Sequence, residues 1–280
     1  MEIKSVGVIG AGVMGNGIAQ VTAAAGYEVI MTDINDACIA KGLDTISKNL
    51  DRQVKKGTLD EAGKKAIMGR IKTATDPKAA KDCQLIVESA PEILELKASI
   101  FKTLDEVCPP ETIIGSNTSA IPIGDIAGSV KRKDKVIGIH FMNPVPVMKG
   151  VEVIVSTDTS QETVDVTKDY VTKIGKVPCE ARDYAGFIVS RLCDVLMNEA
   201  IQCVMDGNKP EEVDKAMRLC CNHPIGPLEL CDLAGADIVS HGLATMEKEF
   251  GERLKAVPLL KAQVRAGLLG RKTGRGFYKY

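Results

Sequence analysis

The sequence predicts an α/β chain: a doubly wound sheet over residues 1–183, followed by a smaller all-helical domain over residues 184–280. Three observations predict it. Short β-branched apolar runs alternate with helical segments through the first part of the chain. A glycine-rich turn joins the first of those runs to the first helix. Beyond Pro178 the apolar residues recur at helical spacing alone, and no convincing strand returns until the last few residues.

Residues 3–9 are apolar and rich in β-branched side chains, as suits a strand buried on both faces. The turn Gly10-Ala11-Gly12-Val13-Met14-Gly15 follows, then a helix to about Ala25 that stops at Gly26, then a second strand over residues 29–32. Residues 5–27 carry no charge and follow Lys4, which mimics a signal peptide or a membrane span. Six glycines interrupt that stretch and a strand follows at once, so a buried strand, turn and helix explain the missing charge better. The expected location is therefore the cytoplasm, with no membrane partner. Residues 36–71 read as two charged helices broken near Gly57-Thr58, with Leu43, Ile46 and Leu50 at helical spacing. Strands return at residues 85–88, 112–114, 136–139 and 151–155, and helices fill the gaps, notably residues 94–107 and the segment after Gln161. The glycine turn and the alternation together make the sheet Rossmann-type. The change to helices alone, at residues 187–205, 211–219, 237–250 and 258–266, marks a domain boundary near Asp183.

A chain of 280 residues with 45% hydrophobic and 26% charged residues can bury a large core. Its net charge of −1 supplies no field to hold a nucleic-acid backbone. Nine cysteines, an odd number without C-x-x-C spacing, suit neither a disulfide scaffold nor a zinc site and read as thiols of a reducing compartment. No metal is expected.

In a G-x-G-x-x-G turn, Gly10 makes the bend, Gly12 lets a pyrophosphate approach the backbone, and Gly15 lets helix and strand pack closely. The helix beginning near Val13 and Met14 directs its first N–H groups at the anion. Asp33 ends the second strand, where a carboxylate bonds the adenosine ribose and repels the extra phosphate of NADP. NAD is the expected cofactor. His140 ends an apolar strand, at the sheet edge where ligands of such folds bind, and can exchange a proton with a substrate hydroxyl. Glu152 lies inside an apolar strand, where a carboxylate costs several kcal/mol unless a partner such as that imidazole meets it. Ser116-Asn117-Thr118-Ser119 follows another apolar strand; it serves equally as a ligand loop or as a polar cap for the next helix. His223, in a proline-rich turn, reads as a helix cap, and His241 as a surface or interface residue.

These motifs resemble the 3-hydroxyacyl-CoA dehydrogenase family over the full length. The resemblance rests on V-I-G-A-G-V-M-G-N-G-I-A-Q from Val8, S-N-T-S from Ser116, H-F-M-N-P from His140 and V-M-K-G-V-E-V-I from Val147. It continues in H-P-I-G-P-L-E-L from His223 and G-R-K-T-G-R-G-F-Y from Gly270. It implies His140 as acid/base, Glu152 as its partner, and Ser119 on the substrate's 3-oxygen near the nicotinamide. It implies Glu92, Lys97, Asn117, Asn143 and Lys272 around NAD, and Asn49 and Lys56 against coenzyme A, although Lys48, Arg52, Lys55 and Lys56 also suit a solvated helix face. The acyl-CoA substrate expected is acetoacetyl-CoA or 3-hydroxybutyryl-CoA, the assembly a homodimer or higher homo-oligomer. One departure stands out: Ser190 occupies the place of the family's asparagine, and its single hydroxyl is shorter than an amide. Asn198 cannot substitute, being about 12 Å further along a helix. Weakened catalysis or an altered substrate preference is expected. The remaining alternatives are a dehydrogenase of a free hydroxy acid and a non-catalytic NAD-binding protein.

Overall fold

The computed structural model describes residues 1–280 and divides them into two compact units, Met1–Asp183 and Tyr184–Tyr280. The first unit is built on β1 (Ser5–Ile9), β2 (Glu28–Thr32), β3 (Ile71–Ala74), β4 (Leu85–Glu88), β5 (Ile113–Ser116), β6 (Val136–Phe141), β7 (Gly150–Val155) and β8 (Val177–Arg182). Its helices are α1 (Val13–Ala24), α2 (Asp36–Lys55), α3 (Glu61–Gly69), α4 (Leu94–Val107), α5 (Ile123–Ala127) and α6 (Gln161–Lys173).

The sheet order is β3-β2-β1-β4-β5-β6-β7-β8, parallel throughout except that β6 and β7 run antiparallel. The four central strands β1, β4, β5 and β6 are almost wholly buried, because helices cover both faces; hence their unbroken apolar sequences. Val6, Val8, Leu85, Val87, Ile137 and Ile139 join Ile18, Ile46 and Leu50 of the helices in one core. Each such side chain contributes about 1.5–3 kcal/mol by leaving water.

Three sequence expectations need correction. β8 extends past Pro178 to Arg182, where no strand was expected. β3 was absorbed into the end of a helical stretch. No helix fills the gap between β6 and β7; residues 142–149 return directly as a loop, which is why that pair is antiparallel. At the end of this unit Asp183 accepts the backbone N–H groups of Ile123 and Gly124, capping α5. Burial pushes the Asp183 carboxyl above its usual range despite those two donors.

The second unit consists of α7 (Val189–Met205), α8 (Pro210–Cys220), α9 (Pro227–Ala234), α10 (Ala236–Phe250) and α11 (Pro258–Arg265). Met197, Ile201, Leu228, Val239, Leu243, Met246 and Leu260 form its core. Two buried carboxylates organise it. Asp214 accepts from the first N–H groups of α9, at Leu228 and Glu229, and from the Tyr278 hydroxyl. Asp232 accepts from the Phe277 and Tyr278 backbone and from Tyr280, tying down the C-terminal residues. Those residues form isolated bridges rather than a strand. α9 is not among the helices expected from the sequence; only its first residue, Pro227, falls in the expected proline-rich turn. His223 closes the end of α8 through its backbone N–H, bonded to Met217 O, rather than through its ring. None of the nine cysteines is joined in a disulfide.

Candidate active site

The carboxyl ends of β1, β2, β4, β5 and β6 meet along one edge of the sheet, where Gly10, Asp33, Glu88, Asn117 and His140 end or follow those strands. Gly10 turns with φ of +106°, a conformation L side chains rarely adopt. A Cβ at Gly15 would overlap the carbonyl oxygen of Gly10. Gly15→Ala is therefore expected to abolish NADH binding measured by fluorescence titration; an unchanged Kd in folded protein would show that the turn does not hold the dinucleotide.

Gly12 caps α1 without a side-chain hydrogen bond, and no acidic residue sits in the first turn. A Cβ at Gly12 would meet nothing within 4 Å. The helix start thus faces open space with bare backbone, as an approaching pyrophosphate requires. Asp33 is fixed rather than mobile: its Oδ2 accepts from Ala11 N at 2.7 Å and its Oδ1 from Ile34 N at 2.7 Å. It does not cap α2; Asn35 does, by accepting from Cys38 N. A cleft of about 350 Å³ runs from here, lined by Gly12, Val13, Asp33, Asn49, Asn143 and Val145 among others. Bare helix start, anchored acid and adjoining cleft fit a dinucleotide.

A buried ionic cluster braces the next two strand ends. Glu88, ending β4, accepts from Lys97 Nζ at 2.9 Å, Ser116 Oγ at 2.6 Å and Ala90 N at 2.5 Å. Lys97 is only 1% exposed; it also donates to Ala90 O and pairs with Glu92 at 3.5 Å. Its ammonium is thus enclosed by protein groups, and its direct work is to hold Glu88 and Glu92. Glu92 Oε1 collects Thr118 Oγ1, Ser119 N and Ala120 N. Burial opposes the Glu92 charge, but Lys97 and these donors together hold its carboxyl below the usual range. Asn117 Oδ1 accepts from Phe141 N at 2.8 Å, which links the Ser119 loop to the end of β6. Sequence reading missed Glu88; its signal was an acid closing an apolar strand.

His140 and Glu152 face each other as register partners across the antiparallel pair. His140 Nδ1 lies 2.7 Å from Glu152 Oε2, and the two residues are 4% and 2% exposed. A carboxylate at that distance makes Nδ1 the donor, which fixes the ring's orientation and tautomer. Asn143 lies in the loop that follows, and its peptide bond to Pro144 is cis.

The remaining candidates are placed as follows. Asn49 lies on α2 at the cleft, between Gln20 and Arg52, and Lys56 is exposed just beyond that helix. In the second unit Ser190 is the second residue of α7 and partly buried. Asn198 is engaged with the backbone of Lys255 and Val257. Lys272 is paired with Asp237 at 2.5 Å.

Two family models account for nearly the whole chain. The NAD-binding domain of 3-hydroxyacyl-CoA dehydrogenases matches residues 5–184, and the C-terminal domain of the same family matches residues 186–280. The chain belongs to the 3-hydroxyacyl-CoA dehydrogenase family. It is 44% identical over 282 residues to a probable 3-hydroxybutyryl-CoA dehydrogenase of Bacillus subtilis, covering 100% of this chain and 98% of that one. A 3-hydroxybutyryl-CoA dehydrogenase of Clostridioides difficile is 44% identical over 275 residues, with 98% of each chain covered. The solved structure of (S)-3-hydroxybutyryl-CoA dehydrogenase from Ralstonia eutropha matches with a TM-score of 0.94 at 42% identity, covering 100% of this chain and 99% of that one. The glycine turn and cleft therefore lie in the NAD-binding domain of a 3-hydroxyacyl-CoA dehydrogenase, and the NAD expected from Asp33 agrees with that family model.

Proposed function

We propose that this protein interconverts acetoacetyl-CoA and 3-hydroxybutyryl-CoA, with His140 as acid/base. The observation that carries the reading is the buried His140–Glu152 pair at the same sheet edge as the glycine turn. Bound NAD(H) supplies or accepts the hydride at C3 of the acyl group. In the reducing direction protonated His140 gives a proton from Nε2 to the forming alkoxide, while Nδ1–H stays bonded to Glu152. Glu152 stabilises the charged ring, and Ser119, held through its backbone by Glu92, orients the ketone oxygen. Gly10, Gly12, Val13, Met14, Gly15 and Asp33 bind the dinucleotide. Glu92, Asn117, Asn143 and Lys272 complete its site, with Lys97 acting through Glu92. Asn49 and Lys56 hold coenzyme A. Ser190, in the family's asparagine place, weakens but does not abolish turnover.

We place the protein in the cytoplasm as a homodimer or higher homo-oligomer. No helix is long and apolar enough to cross a membrane. Leu192, Leu219 and Ile238 of the helical unit are exposed apolar side chains that a second copy can cover.

The test is NADH oxidation with acetoacetyl-CoA, followed by loss of NADH absorbance, beside free acetoacetate at equal concentration. Turnover with the thioester alone is the expected result. Turnover of both at similar kcat/KM would point to a free-acid dehydrogenase. No turnover of either, in protein that binds NADH, would remove the activity.

A further inference from the structure

Residues 142–149 do two things at once. They connect the strand of His140 to the strand of Glu152, and through Asn143, Pro144, Val145 and Pro146 they form one wall of the dinucleotide cleft. The wall packs tightly on α1: a Cβ built at Gly17 would stand 2.8 Å from the Cβ of Val145. On its other side lies a second hollow of about 410 Å³, lined by Gln20, Gln53, Lys173, Lys176 and again Pro146. The segment is thus a partition between two cavities. Val145 is anchored in the core, but Asn143, Pro144, Val147, Met148 and Lys149 are exposed and have little packing to hold them.

Lys176, just before β8, supplies the missing restraint. It is 8% exposed, and its ammonium donates to Val145 O at 2.6 Å and to Met148 O at 2.6 Å. Inside the segment Val147 N and Met148 N both donate to Pro144 O, closing a turn on which those two acceptors sit. Beside it, Val177 N donates to Lys149 O and fixes the end of the segment to β8. No carboxylate is bonded to this ammonium, and burial pushes its pKa below that of an ordinary lysine. A desolvated cation held by two neutral carbonyls is an expensive way to tether a surface loop. The expense is understandable where the loop must keep one position while a ligand enters and leaves beside it.

We propose that Lys176 is a positioning residue for dinucleotide binding: its ammonium holds the 142–149 wall against α1, so that Asn143 and Val145 stand ready at the cleft before the cofactor arrives. The proposal rests on the dehydrogenase reading for its ligand, but not for its test. Lys176 touches neither reacting atoms nor cofactor; it acts through the wall.

The experiment compares the parent protein with Lys176→Met, which keeps the length and apolar stem of the side chain but removes the donors. Three readouts are taken. NADH Kd by fluorescence titration is expected to rise about tenfold. Hydrogen exchange on the ligand-free protein is expected to accelerate at the Val147 and Met148 amides, with β1 and β4 unchanged. In steady-state assays KM for NADH is expected to rise while KM for acetoacetyl-CoA and kcat stay within about threefold. Lys176→Arg, which keeps charge and donors, is expected to recover part of the Kd. An unchanged NADH Kd in a Met variant whose wall amides exchange faster would overturn the proposal, because the wall would then be loose without consequence. So would unchanged exchange at those amides. If Lys176→Met unfolds, the Arg variant decides: an NADH Kd and a wall exchange rate that rise together support the proposal, and a change in either without the other overturns it. Kd and exchange need no substrate, so a failure of the acetoacetyl-CoA reading leaves both outcomes readable.

Discussion

His140→Gln is expected to lower kcat by about 10²- to 10⁴-fold, the usual contribution of a positioned acid/base, while NADH Kd stays near the parental value. The reason lies in the placement of the ring. It is buried, and Glu152 fixes its orientation from the next strand, so no solvent group stands in for it. Glu152→Gln separates the two roles in the pair. The amide keeps the shape and can still accept from Nδ1–H through its carbonyl oxygen, but it no longer stabilises the imidazolium. We expect a loss of kcat of roughly two orders or more, with little change in either KM. Removing one member of a buried pair destabilises by about 3–5 kcal/mol, so Tm is recorded for both variants to keep folding losses apart from chemical ones. His140→Gln protein that folds, binds NADH and keeps more than about a tenth of kcat would take the acid/base role away from this residue.

Asp194→Asn is expected to stabilise the helical unit, and to do so only above acid pH. Asp194 is nine-tenths buried on α7; its Oδ2 stands against Gly242 of α10, so closely that a Cβ there would collide with it. Burial pushes its carboxyl up to about 7. Cys231 of α9 lies near enough to feel the same carboxylate, its thiol being pushed up to about 12 by burial first and then by Asp232, Asp194 and Asp214. In the unfolded chain an aspartate ionises near 3.8, so between there and about 7 the folded state binds the extra proton. Parental stability therefore falls as pH rises through that window and levels off above it. Roughly three pH units at 1.36 kcal/mol each amount to about 4 kcal/mol, which the neutral amide avoids. Thermal melts at about pH 8.5 should show the variant well above the parent, and at about pH 4 the gap should close. A pH-independent difference would mean that the carboxylate is not the source of the strain. Ser190 lies one turn earlier on the same face of α7.

What was legible in the sequence was legible for a physical reason. β1, β4, β5 and β6 are sealed between helices, so their sequences could be apolar without interruption. β3 and β8 are the two edge strands, half exposed, and they carry Lys72, Pro178, Glu180 and Arg182, the residues that keep a sheet edge from pairing further. Period-two hydrophobicity has nothing to register there. α9 was hidden because Pro227 at its first position reads as part of a turn until one sees that proline suits a helix start. At the site, Gly10, Gly15, Asp33, His140 and Glu152 were readable because each is a residue type at odds with its apolar neighbours. Lys97 and Lys176 were not readable as buried cations, since lysine is ordinarily exposed and only the fold brings Glu88 or two carbonyls to it.

The antiparallel seam between β6 and β7 has one further consequence. The imidazole and the carboxylate are aligned by ladder hydrogen bonds, and a slip of one residue would send them to opposite faces. In two strands joined directly by a loop, the register is set in part by that loop, so residues 142–149 help to keep the pair aligned as well as walling the cleft. An engineer seeking a different ligand shape would therefore keep the length of that connection and the two carbonyls presented to the amine beneath, and vary the exposed side chains between them.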